Sequence, residues 1–117
     1  MPGEENAALM MAIEDSNIGF ILTRREQGTA FVVEVQGRLT GEPGVCPGTL
    51  GPGAANLVTG VADANMDRAP LIAVTGQTGT ERSHKESYQA MDVVGMFTTI
   101  TKKPGASPVI RVDSQAC

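Results

Sequence analysis

Apolar positions along the chain alternate between two rhythms. Leu9, Met10 and Ile13 fall at helical spacing within residues 4–16, with acids in the first turn, and Asn17 breaks the pattern. A short strand-like run follows over residues 18–22, and then a segment over residues 23–39 in which Ala30, Phe31 and Val35 recur three to four apart, predicting a helix. Gly41-Glu42-Pro43-Gly44 is a turn cluster. Residues 45–50 read as a second strand, ending at Gly51-Pro52-Gly53, although Pro47 removes a ladder donor and predicts an early end or a bulge. Leu57, Val61 and Ala64 mark one face of a helix over residues 54–66, and residues 70–75 form the clearest strand. Beyond it come a polar loop over residues 76–87, a short helix over residues 89–97 and a further strand over residues 98–101. Strands alternating with helices through short glycine-containing turns predict an α/β fold: a three-layer sandwich with a mostly parallel sheet and helices on both faces.

Composition sharpens this picture. The 117 residues fit one domain, and 41% hydrophobic content with 3% aromatic residues requires a core of Val, Ile, Leu, Ala and Met. The net charge is −4 and the nine basic residues are scattered, so no nucleic-acid partner is expected. No apolar run reaches the roughly 18 residues of a membrane span, and the amino end lacks the pattern of a signal peptide. No membrane partner and a cytoplasmic location are the resulting expectations. Cys46 and Cys117 lie in no metal or redox spacing and are expected to be free thiols.

In open α/β sheets, ligands gather beyond the carboxyl ends of the strands. Three turns qualify: Thr23-Arg24-Arg25-Glu26-Gln27, Gly51-Pro52-Gly53-Ala54-Ala55-Asn56, and Gly76-Gln77. The simplest reading of Thr23-x-x-Glu26 is a capping box, with both side chains satisfying amides at a helix start. In the functional reading, Glu26 points into an apolar crevice and holds a proton against a heterocycle nitrogen. Burial and the helix dipole push its protonation in opposite directions. Gly51-x-Gly53 resembles half of a phosphate cradle, but Asn56 stands where a third glycine would be, and a tight turn with Pro52 near the first helical position explains it as simply. No P-loop motif occurs. His84, the only histidine, reads as a solvated loop residue, and Lys102-Lys103 as a solvated strand end.

The order and wording of the turns go further. Pro2-Gly3-Glu4-Glu5-Asn6, Arg24-Arg25-Glu26-Gln27-Gly28-x-Ala30-Phe31, Gly37-Arg38-Leu39-Thr40-Gly41, Thr49-Leu50-Gly51-Pro52-Gly53-Ala54-x-Asn56-Leu57, Asp67-Arg68-Ala69-Pro70 and Ile100-Thr101-Lys102 together resemble the amino-terminal pyrimidine-binding (PYR) domain of acetolactate synthase-like, thiamine diphosphate-dependent enzymes. The resemblance runs from residue 2 to about residue 103. It implies that Glu26 is the catalytic glutamate that hydrogen-bonds N1′ of the cofactor's aminopyrimidine. It further implies that Pro52, Gly53 and Asn56 bind the cofactor by packing beside that ring, and that Gly3 and Gln89 lie close to the substrate. The implied activity is decarboxylation of a 2-keto acid such as pyruvate, followed by carboligation.

In such enzymes the diphosphate and its Mg²⁺ are held by a separate domain with a Gly-Asp-Gly…Asn motif, usually from the other subunit of a dimer. That motif does not occur here, so no metal ligand is assigned in this chain, and FAD stays undetermined. The expected organisation is a partial, truncated PYR domain over residues 1–103 with a divergent tail over residues 104–117, inactive alone. Its expected partners are thiamine diphosphate, a 2-keto acid and either a second copy in a homo-oligomer or a complementing pyrophosphate-binding domain. Arg25 departs from the histidine common at its position, which weakens any proton-relay role there. The competing reading is a non-catalytic α/β relic or interaction module that keeps the scaffold without the cofactor chemistry.

Overall fold

A computed structural model describes residues 6–77 and 91–102. Its centre is a pair of parallel strands, β1 (Gly44–Gly48) and β2 (Leu71–Thr75), in register from Gly44 opposite Leu71 to Gly48 opposite Thr75. The chain between them forms the helix α3 (Pro52–Met66), and the helix α2 (Glu26–Thr40) precedes β1. These four elements give the expected α/β architecture with a parallel sheet. An amino-terminal helix α1 (Ala7–Glu14) and a short helix α4 (Val93–Phe97) flank them.

Small residues decide how closely the layers approach. On α2 the buried stripe is Ala30, Val33, Glu34 and Gly37, and on α3 it is Gly53, Ala54, Leu57, Gly60, Val61 and Ala64, each at helical spacing. A methyl group at Gly60 would run into Ala30, so α2 and α3 cross at backbone contact distance, and one at Gly37 would run into the Pro70 carbonyl just before β2. Close approach therefore selects Ala30 and Gly37 for the interior and turns the larger Phe31 and Val35, which periodicity assigns to the same stripe, outward. Gly44, Cys46 and Gly48 face the helices: a Cβ at Gly44 would meet Val33, and one at Gly48 would meet Leu57. Val93 and Phe97 of α4 complete the core with Leu57 and Val61.

The ends of the helices follow local chemistry. Gly41 ends α2 with φ 73°, and Gly51 enters α3 with φ 59° and ψ −119°, a conformation open to glycine, with Pro52 at the first turn as its missing N–H allows. At the end of α3, Ala69 N–H bonds the Ala64 carbonyl and Arg68 N–H bonds the Asn65 carbonyl, a Schellman pair. Its left-handed position is Arg68 at φ 57°, where glycine is the usual residue. Pro47 lies inside β1, which ends at Gly48 rather than at residue 50. A two-stranded sheet leaves one edge of each strand outside the ladder, where a proline is tolerated.

Two predicted strands take other forms. Residues 18–22 have no ladder partner among the described residues, and Ile18, Phe20, Ile21 and Leu22 are exposed. Strand propensity is expressed only where a neighbouring strand supplies hydrogen bonds and a covered face. Residues 98–101 turn helically instead. The Thr98 and Thr101 hydroxyls donate to the Val94 and Phe97 carbonyls at 2.8 Å each, and Ile100 N–H bonds Phe97, so these threonines extend the last turn of α4. Residues 78–90, which include most of the predicted polar loop, His84 and the predicted start of α4 at Gln89, lie outside the described residues, as do Glu4, Glu5, Cys117 and the residue 104–117 tail.

Candidate functional site

The three turns singled out in the sequence meet at the carboxyl end of the sheet. Gly76 N–H, just past β2, donates to the Gly48 carbonyl at the end of β1 at 3.3 Å, and Gly76 packs against Leu50. The first turn joins through side chains. Asn56 Nδ2 donates to Glu26 Oε2 at 3.2 Å, bridging residues thirty apart on the opening turns of α3 and α2.

Glu26 is not half of a capping box. Helix α2 starts at Glu26, with Arg25 in extended geometry (φ −146°, ψ 137°) at its N-cap and no capping bond from that side chain. The Thr23 hydroxyl, which a capping box needs, donates to the Arg25 carbonyl at 3.2 Å and pairs with the Thr29 hydroxyl. Thr23 sits two residues too far from the helix start to act as its cap, and the Glu26 carboxylate reaches the neighbouring helix instead. It is half-buried and adjoins the glycine turn: a Cβ placed on Gly53 would lie 3.9 Å from Glu26 Oε1 and would collide with Thr49. Pro52 is exposed on the same turn, while Gly51 and Gly53 are buried. Glu26, Pro52, Gly53 and Asn56 thus come together on two adjacent helix starts. Gly3 and Gln89 lie outside the described residues.

Two further groups were not singled out by sequence. Glu34, Asp63 and Asp67 bring three carboxylates within 4.8 Å of one another, a spacing that would suit a cation. Arg38 occupies that position: it pairs with Glu34 and Asp67 and lies 3.5 Å from Asp63. The hydrogen bond to Glu34 and the charges of the two aspartates raise the guanidinium pKa. This is a clamp between α2 and α3, and the signal for it was the i,i+4 pair Glu34 and Arg38 facing two acids one helical turn apart, Asp63 and Asp67. The Cys46 thiol is buried beneath the helices, and burial pushes its pKa up to about 11. A thiol in that state is a small apolar core group rather than a nucleophile. An open groove between β2, α4 and the end of α3, lined by Val61, Leu71, Phe97 and Ile100, includes none of the Glu26 cluster.

Comparison with known proteins identifies the family. The family described as thiamine pyrophosphate enzyme, N-terminal TPP binding domain, matches residues 1–96. A probable acetolactate synthase large subunit of Methanocaldococcus jannaschii is 45% identical over 101 residues, covering 86% of this chain and 17% of that protein. The acetolactate synthase isozyme 2 large subunit of Escherichia coli is 40% identical over 101 residues, covering 86% and 18%. The acetolactate synthase of Bacillus subtilis is 39% identical over 102 residues, covering 87% and 18%. The chain therefore spans under a fifth of the length of these relatives. With a family match across most of its residues and this degree of identity, the chain belongs to the N-terminal TPP-binding, or PYR, domains of acetolactate synthase-like thiamine pyrophosphate enzymes.

Proposed function

We propose that this chain supplies the pyrimidine half of a composite thiamine diphosphate site in a 2-keto acid decarboxylase and carboligase of the acetolactate synthase type, with Glu26 as its catalytic group. The observation that carries this reading is the placement of the Glu26 carboxylate, tied to Asn56 and adjoining Gly53 in the turn Gly51-Pro52-Gly53. A flat heterocycle fits such a place on two counts. The exposed Pro52 offers an apolar edge for a ring to lie against, and the half-buried Glu26 carboxylate offers an acceptor close to that turn.

In this reading Pro52 and Gly53 flank the aminopyrimidine, and Glu26 holds the proton it shares with N1′. The bond from Asn56 restrains the carboxylate during that exchange. Thiamine diphosphate, when bound, supplies the nucleophilic carbon needed to cleave and join 2-keto acids. Gly3 and Gln89 approach the substrate. The diphosphate and Mg²⁺ fall to a complementing pyrophosphate-binding domain, on the same polypeptide or a second copy, and residues 1–103 form the working unit.

Mixing the chain with the pyrophosphate-binding region of an acetolactate synthase relative, thiamine diphosphate and Mg²⁺ tests the proposal. Pyruvate consumption is expected in the mixture and in neither part alone, and Glu26→Gln is expected to abolish it. Turnover indifferent to that substitution would remove Glu26 from the chemistry.

A further inference from the structure

We infer that Asn56 is a positioning residue for Glu26, acting on the bound ring through that carboxylate rather than by touching the ring. This rests on the reading of Glu26 given above and adds to it a division of labour within the turn. Glu26 stands on the first residue of α2, where a carboxylate has its own helix amides and open water as alternative partners. The amide of Asn56 removes that choice. By donating Nδ2–H to Oε2 at 3.2 Å, it holds the carboxylate with Oε1 toward Gly53.

The residue type suits the task. Asn56 lies about one helical turn beyond Gly53, so both adjoin the Glu26 carboxylate. A neutral amide holds a carboxylate by one hydrogen bond without neutralising it. A lysine there would compete for the charge that the ring nitrogen needs, and an aspartate would repel it. The bond also ties the start of α2 to the start of α3, so the acceptor and the glycine backbone keep a fixed relation as the helices move.

Binding of 4-amino-2-methylpyrimidine, the cofactor's ring alone, to the full chain separates the possibilities when followed by ¹⁵N–¹H chemical-shift titration of four proteins: the parent, Asn56→Ala, Glu26→Ala and the double variant. Glu26→Ala is expected to weaken ring binding, and Asn56→Ala to weaken it about fivefold, the effect of one net hydrogen bond. The double variant is expected to bind as Glu26→Ala does, because Asn56 then has nothing to hold. Equal loss from Asn56→Ala in both backgrounds would overturn the inference, since Asn56 would then meet the ring directly or merely support the fold. If Glu26→Ala leaves binding unchanged, or if the ring fails to perturb the parent chain near its solubility limit, the reading of Glu26 falls and this inference with it. Asn56→Asp keeps the side-chain shape but replaces the donor with a like charge, so it guards against misfolding in the alanine variant. It is expected to bind more weakly than the parent, and parent-like binding would overturn the positioning role.

Discussion

A carboxylate on the first residue of a helix usually answers to that helix's own amides, yet Glu26 answers to Asn56 on a neighbouring helix. What decides this is a two-residue offset: the helix begins at Glu26 rather than directly after Thr23, and Thr23 spends its hydroxyl on the Arg25 carbonyl. Two other residues allow predictions at this scale. Arg68 holds a left-handed conformation at the end of α3, so Arg68→Gly should stabilise the fold by about 0.5–1 kcal/mol, read from a higher urea midpoint. Cys46, whose thiol pKa is raised to about 11 from an ordinary value near 9, makes the fold sensitive to alkali. Its native state keeps the proton longer than its unfolded state, so this stabilisation is complete below about pH 9 and is lost as pH rises through 11. Comparing thermal stability of parent and Cys46→Ala across that window should show a steeper alkaline decline in the parent, on the order of 2 kcal/mol.

Among the elements, α2 and α3 carry the site because both begin at it, and two devices hold their relation. The first is the small-residue crossing of Ala30 on Gly60. Gly60→Ala drives a methyl group into Ala30 and should cost about 1–3 kcal/mol, measured by denaturant unfolding. The second is the Arg38 clamp, which neutralises the buried carboxylate of Glu34 and reaches two acids on the facing helix. Arg38→Ala should lower the urea midpoint of unfolding, and by less than for a fully enclosed pair because Arg38 is itself exposed. Lysine should recover only part of the loss, since one ammonium cannot serve three carboxylates in a fixed fork.

Helix positions were legible in the sequence because apolar spacing and glycine-proline punctuation agree there: Pro52 at a helix start, Gly41 at a helix end, and Leu57, Val61 and Ala64 on one face. The inward face of α2 was not legible, because it is chosen by how closely backbones meet and not by hydrophobicity. The strand over residues 18–22 was misjudged for a different reason: five apolar residues state a preference, but a ladder partner lies in another part of a chain. At the site, motif order brought Glu26, Pro52, Gly53 and Asn56 together, while the Asn56–Glu26 bond needed the relative placement of two helices.

Across the whole molecule, the chain displays apolar surface that its described residues do not cover: Ile18, Ile21 and Leu22 before α2, Val32 and Leu39 on its outer face, and Val45 and Ile72 on the sheet. Exposed large apolar side chains in this number favour association. Sedimentation velocity over a range of concentrations should reveal oligomers of the isolated chain, and Ile21→Glu combined with Leu39→Glu should shift the population toward monomer. No helix among the described residues is long and apolar enough to cross a membrane. The relatives are five to six times longer than the matched stretch, which gives the same surfaces a further candidate cover in the remainder of an enzyme of that kind.

The central claim is that Glu26 governs the proton economy of an aminopyrimidine at the glycine turn. Exchange of the thiazolium C2 proton of thiamine diphosphate with deuterium reports this directly, followed by ¹H NMR in the chain complemented with a relative's pyrophosphate-binding region. Wild-type chain is expected to accelerate the exchange, and Glu26→Gln to slow it by roughly 10²–10⁴-fold, the usual contribution of a positioned acid or base. Equal exchange rates with glutamate and glutamine at position 26 would contradict the account.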